Sequence, residues 1–162
     1  MRPLTPADRP TERTTDRPSA RALPQLQRPD GSPWRVLLVD DNPINREVGA
    51  ALLGALGLQV HTALDGDDAL RMAAAGHYDL VLMDVQMPRM DGHAATRRLR
   101  ALPGLAAVPV IAVTANSSAQ SRDACLATGM NEFVTKPIDI LRLADAVRRC
   151  LPAGGSTGPQ TG

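Results

Sequence analysis

Between Trp34 and Leu151 the chain alternates short aliphatic runs with longer amphipathic stretches. Arg35-Val-Leu-Leu-Val39, bounded by Pro33 and Asp40, predicts a strand buried on both faces. Asn42 then predicts a helix cap with Pro43 at the first position. Ile44, Val48, Leu52 and Leu56 recur at helical spacing as its apolar stripe, and Gly57 stops it. Leu58 to Ala63 alternates as a second strand, and Asp65 to Gly76 is helix-like with acids in its first turn. Asp79 to Met83 predicts a third strand, His93 to Leu102 a third helix, and Val108 to Ala115 a fourth strand. Ser117 to Thr128 predicts a fourth helix ended by Gly129, Glu132 to Thr135 a short fifth strand, and Ile138 to Leu151 a final amphipathic helix. Five strands alternating with five helices imply an α/β, doubly wound parallel sheet covered on both faces. In such sheets ligand chemistry gathers at the carboxyl ends of the strands.

The flanks break the pattern. Residues 1–33 hold seven of the 14 prolines, six Arg, and no Ile, Val or Phe. Such a stretch buries too little apolar surface to offset its ordering entropy, so disorder is expected for this Pro/Arg-rich N-terminal segment. The Gly/Pro-rich tail 152–162 reads the same way, leaving one domain at 34–151.

Charge narrows the function classes. Lys and Arg together number 18 against 17 acids, a net charge of +1, which suits neither a nucleic-acid footprint nor a basic membrane patch. Three aromatics, Trp34, Tyr78 and Phe133, make no base-stacking platform. Cys125 and Cys150 form no disulfide framework, and no run is long and apolar enough to span a bilayer; a cytoplasmic protein is expected. Of the basic residues only Lys136 is a lysine.

That lysine belongs to a constellation. The predicted strands end in Asp40-Asp41, Asp84, Thr114 and Lys136, each following an aliphatic or Phe-containing run. Carboxylates forced together repel: one pair at ~4 Å costs about 4 kcal/mol at an effective dielectric of about 20. A hard divalent cation relieves that cost, and carboxylates with a carbonyl and waters are the ligands Mg²⁺ prefers. A Thr hydroxyl and a Lys ammonium opposite the metal would complete a pocket for a tetrahedral dianion, which favours phosphoryl transfer onto a carboxylate.

Val39-Asp-Asp-Asn-Pro-Ile-Asn-Arg-Glu-Val48, Asp84-Val-Gln-Met-Pro-Arg-Met-Asp-Gly92, Thr114-Ala115 and Lys136-Pro137 resemble the receiver domain of two-component response regulators. The intervals of 43 from Asp41 to Asp84, 30 to Thr114 and 22 to Lys136 make the match specific, and Asp84 to Gly92 most resembles receivers of hybrid sensor kinases. The resemblance implies a flavodoxin-like fold with strand order 2-1-3-4-5. It implies that Asp84 is the phosphoacceptor, that Asp40, Asp41, Asp84 and the Gln86 backbone carbonyl hold Mg²⁺, and that Thr114 and Lys136 bind the phosphoryl oxygens. Thr114 and Phe133 would be the switch pair, Gln86, Ala115 and Asn116 would tune the aspartyl phosphate, and Pro137 would follow a cis peptide bond. Partners would be a histidine kinase or histidine phosphotransfer protein, and an output protein at the face of the fourth helix, fifth strand and fifth helix. No nucleic acid or membrane partner is expected. The resemblance implies a signalling domain that assists its own phosphorylation and dephosphorylation, not an enzyme acting on a small substrate.

Other residues carry blander readings. His61, His77 and His93 show no ligand spacing and read as solvent-side, and the cysteines as small packing residues. Arg97, Arg98 and Arg100 read as a solvated helix face, as do Arg142, Arg148 and Arg149. A haloacid-dehalogenase-like phosphatase also uses an Asp nucleophile at a strand end, but it wants a second acid where this chain has Gln86. A standalone regulator is the simplest expectation, with a detached receiver of a hybrid kinase as the alternative.

Overall fold

The computed structural model describes residues 23–151. Its strands are β1 (Arg35–Val39), β2 (Gln59–Ala63), β3 (Leu80–Asp84), β4 (Val110–Thr114) and β5 (Glu132–Thr135). The helices between and after them are α1 (Pro43–Ala55), α2 (Gly66–Ala75), α3 (Gly92–Arg100), α4 (Ala119–Thr128) and α5 (Ile140–Cys150). All strand pairings are parallel and the order is β2-β1-β3-β4-β5, the flavodoxin-like arrangement expected.

Period-two alternation sends side chains to opposite faces. Leu37, Val39, Val81, Met83 and Ala112 meet Ala69, Ala73, Ala95, Leu99 and Cys125 of α2, α3 and α4. Val36, Leu38, Leu82, Ile111 and Val113 meet Leu53, Leu143 and Val147 of α1 and α5. Side chains cap α1 to α5: Asn42, Asp65, Asp91, Ser118 and Asp139 accept backbone N–H groups of the first turns. Gly129 closes α4 at φ 107°, a left-handed conformation that favours glycine.

Of the apolar stripe expected on α1, Leu56 is buried and Leu52 half-buried, but Ile44 and Val48 do not face the core. Gly49, Leu53 and Leu56 are buried, whereas Ile44 and Val48 are 68% and 50% exposed. Gly49 lets the helix approach the sheet: a methyl group there would lie 2.9 Å from Leu38 Cδ2. That close approach turns Ile44 and Val48 to the rim.

The N-terminal boundary also differs. Residues 1–22 and 152–162 lie outside the described residues. Residues 23–33, expected to be disordered, pack on the domain: the Leu26 N–H donates to Leu56 O, and Gln27 pairs with Pro33 in a short bridge. The Arg28 guanidinium contacts the Asp79 carboxylate and stacks over Trp34 at 4.7 Å. Leu26, half-buried, Gln25, which donates to Ala55 O at 3.0 Å, and Arg28 thus tie a stretch whose composition reads as disordered to α1 and the foot of the sheet.

Arg100 is no solvated residue either. It is half-buried and donates to the carbonyls of Leu105, Val108 and Gly129, and to Asn131 Oδ1. His61 Nδ1 and His93 Nδ1 bond Tyr78 OH and Thr128 Oγ1, each at 2.8 Å, so both histidines tie elements together. His77 is exposed, as are Arg97, Arg98 and Arg142. Among the described residues no helix is long and apolar enough to cross a membrane.

Candidate phosphoacceptor centre

Just past β1 the backbone leaves the sheet and presents Asp40 and Asp41. The Asn42 N–H donates to Asp40 Oδ1 at 2.9 Å, and Arg46 Nη1 on α1 donates to the Asp40 carbonyl at 2.8 Å. The acidic turn is thus held from the helix that follows it. Asp84 ends β3, with the Gln86 N–H donating to its Oδ1 at 3.2 Å. Asp40 and Asp84 are only 4% and 2% exposed, whereas Asp41 faces solvent. One carboxylate oxygen from each of the three lies within 4.8 Å of the others.

Among the described residues, Lys136 is the cation within salt-bridge distance of these carboxylates. Lys136 Nζ lies 3.1 Å from Asp84 Oδ1 and 3.9 Å from Asp40 Oδ2. β4 and β5 place it there, for the Lys136 N–H donates to Thr114 O at 2.8 Å. Burial, then the charge of Asp40, push the Asp84 carboxyl above its ordinary range, and the Lys136 ammonium and the Gln86 N–H oppose them. Three carboxylates against one ammonium leave excess negative charge in an all-oxygen donor set. That environment fits a hard divalent cation.

The remaining site residues divide. Thr114 is buried beside Asp84, whose register partner on β4 is Val113. Its hydroxyl accepts from the Asn116 N–H at 3.0 Å and donates to Asn116 O at 3.3 Å. Gln86, Ala115 and Asn116 are exposed around the opening, and the Lys136–Pro137 peptide bond is cis. Phe133 does not join this group. It is half-buried on β5 opposite Ala112, with Arg122 stacked on its ring. In the loop after β3, Met87 is buried, and Arg89 takes φ 67° while bonding Asp65 at the α2 cap.

Sequence reasoning missed Arg46, which braces the acidic turn, and Arg122. Arg46 follows Asp40 by six residues across the helix cap, a spacing that helical periodicity alone does not flag.

The chain has known relatives. The sequence model of the response regulator receiver domain matches residues 36–148. The chain is 46% identical over 123 residues to the sensor histidine kinase RcsC of Escherichia coli, covering 75% of this chain and 13% of that protein. It therefore spans about an eighth of the length of the curated relatives it matches first. The receiver domain of the Pseudomonas aeruginosa sensor histidine kinase PA1611, crystallised with magnesium in the active site cleft, superposes with a TM-score of 0.68 at 40% identity, covering 74% of this chain and 98% of that one. A TM-score of 0.65 at 25% identity relates it to the co-crystal structure of the Saccharomyces cerevisiae phosphotransfer protein Ypd1 with the receiver domain of Ssk1, covering 74% of this chain and 89% of that one. On this match over most of its length, the chain belongs to the response regulator receiver domain family.

Proposed function

We propose that Asp84 accepts a phosphoryl group from a phosphohistidine of a kinase or phosphotransfer protein, and that the domain passes the event to a partner by a change of surface. The observation that carries this reading is Lys136 Nζ, held 3.1 Å from a buried carboxylate that shares its pocket with two more. An Asp84 oxygen attacks phosphorus, a P–O bond forms, the P–N bond breaks, and the imidazole nitrogen keeps the electron pair. Lys136 is already seated to follow charge from the carboxylate to the phosphoryl oxygens. Thr114 offers a second contact once its hydroxyl leaves Asn116.

Asp40, Asp41, Asp84 and the Gln86 carbonyl would hold Mg²⁺. When bound, the ion neutralises charge on the transferring phosphoryl group. Asp40, kept rigid by Asn42 and Arg46, then serves as a fixed anchor with no reorganisation during the reaction. Gln86, Ala115 and Asn116 line the approach of water and donor, and so set the lifetime of the acyl phosphate. The reading makes 34–151 the signalling unit, with the N-terminal segment packed on it from residue 23 onward. It also makes the domain a stoichiometric acceptor and not a catalyst acting on a small substrate. The output surface is the face of α4, β5 and α5. The likeness to RcsC and PA1611 supports the alternative that this receiver serves a hybrid kinase as a relay intermediate.

Acetyl phosphate with Mg²⁺ tests the chemistry. The intact protein gains one phosphoryl group by mass, and the gain disappears in Asp84→Ala and after chelation by EDTA. Labelling that persists in Asp84→Ala overturns the assignment.

A further inference from the structure

Two surface grooves on the flank between α4 and α5 meet at Phe133. One is lined by Ser117, Arg142 and Arg149, the other by Cys125, Leu126 and Asn131, and Arg122 and Phe133 border both. The Arg122 guanidinium carbon stands 4.9 Å from the centroid of the Phe133 ring. This distance is within the reach of a cation–π attraction. Glu132, the nearest carboxylate in sequence to that ring, is taken by Arg149, which donates to both its oxygens at 3.1 and 3.2 Å. Among the described residues Arg122 has no carboxylate within salt-bridge distance. Its guanidinium is left to the aromatic face, and Phe133 has no hydroxyl with which to be held otherwise.

A continuous set of bonds joins this stack to the phosphoacceptor centre. Thr114 Oγ1 is tied to the backbone of Asn116, and Asn116 Oδ1 accepts from the Ser118 N–H at 2.9 Å. Ser118 caps α4, and Arg122 lies in its first turns. A Thr114 hydroxyl drawn toward a phosphoryl oxygen must give up its bonds to Asn116 and loosen the loop that seats α4. β5 stays pinned to β4 through the Lys136 N–H and Thr114 O. Motion of α4 against a fixed β5 separates Arg122 from Phe133.

We propose that Arg122 is a latch on Phe133: its stack stabilises the resting arrangement, phosphorylation works against it, and the pair sets the resting bias of the switch. This deepens, and rests on, the reading of Asp84 as phosphoacceptor. By linkage, whatever the stack contributes to the resting state is subtracted from the affinity for a phosphoryl mimic. Released from Phe133, the chain would bind the mimic more tightly.

Phe133 is the only phenylalanine of the chain, so ring-¹³C phenylalanine reports this residue alone. Beryllofluoride with Mg²⁺ is the probe. Arg122→Gln should move the ring signal of the free protein toward its beryllofluoride-bound position and raise beryllofluoride affinity about 2- to 5-fold, the equivalent of an exposed cation–π contact. Arg122→Lys should fall between Arg122→Gln and wild type, and Arg122→Gln placed on Phe133→Leu should change nothing further. Unchanged or weaker affinity in Arg122→Gln overturns the latch, as does the same gain in the Phe133→Leu background. Wild-type protein that fails to bind beryllofluoride overturns the phosphoacceptor reading itself and the latch with it, and this shows before any variant is made.

Discussion

A methyl group on Gly92 would lie 2.4 Å from the carbonyl oxygen of Asp84 and 2.8 Å from Val85 Cα. The start of α3 and the backbone of the proposed phosphoacceptor therefore touch, with the Gly92 N–H also donating to Val85 O at 2.9 Å. The obstacle is backbone on both sides, so a side chain at Gly92 cannot be absorbed by a rotamer change.

Gly92→Ala is accordingly expected to destabilise the fold by about 1–3 kcal/mol through overpacking and to slow labelling by acetyl phosphate. Urea denaturation and intact mass measure the two effects. A methyl group added at Gly54 on α1 would instead meet nothing within 4 Å. Gly54→Ala should therefore stabilise by about 0.5–1 kcal/mol. A Gly92→Ala protein as stable and as reactive as wild type would show that α3 can shift without cost.

Lys136→Arg keeps the charge but places a broad planar cation where a compact one spans Asp84 and Asp40 at 3.1 and 3.9 Å. Beryllofluoride affinity should fall about tenfold, the size of one charge-assisted hydrogen bond. Titration followed by backbone amide shifts gives the number. Wild-type affinity would refute the role given to Lys136.

Arg28 reaches across the foot of the sheet to Asp79, ahead of β3, and to Trp34, ahead of β1. Arg28→Ala should cost about 1–2 kcal/mol and shift Trp34 emission to the red as the indole meets water. Beryllofluoride affinity should not change, because the cluster of Asp40, Asp41, Asp84 and Lys136 lies at the other end of the strands. A coupled loss of affinity would mean that residues 23–33 communicate with Asp84.

Burial, with the Glu132 charge adding to it and Arg149 opposing, pushes the Cys150 thiol up to about 11. At pH 8 the native thiolate share is then about one part in a thousand. Iodoacetamide labelling of Cys150 should rise about tenfold per pH unit up to pH ~10, and an early plateau near pH ~8.5 would contradict the burial argument. The sign for stability follows: the folded thiol holds its proton longer than the unfolded one. Its contribution is full below the unfolded thiol's pKa and is lost as pH rises through about 11.

Much of this molecule is legible in its chain order. The aliphatic runs, the Asn42 cap and the stops at Gly57 and Gly129 encode local backbone conformation, so element type and sequence follow from residues a few positions apart, whereas Asp65 and Ser118 emerge as caps only in the structure. Because Asp40, Asp41, Asp84, Thr114 and Lys136 each terminate such a run, a parallel sheet brings them to one edge. Their convergence was therefore readable before any distance was known. The rotation of α1 was not, since the choice between Val48 and Gly49 as the inward residue depends on how closely the helix approaches Leu38. Arg28, Arg46, Arg100 and Arg122 share one residue type and four different fates: a clasp on Asp79, a brace on Asp40, a staple across carbonyls and a cover on Phe133. Composition treats them alike because their partners are set by non-local packing. Only the tertiary structure decided which guanidinium found a carboxylate, a carbonyl or a ring.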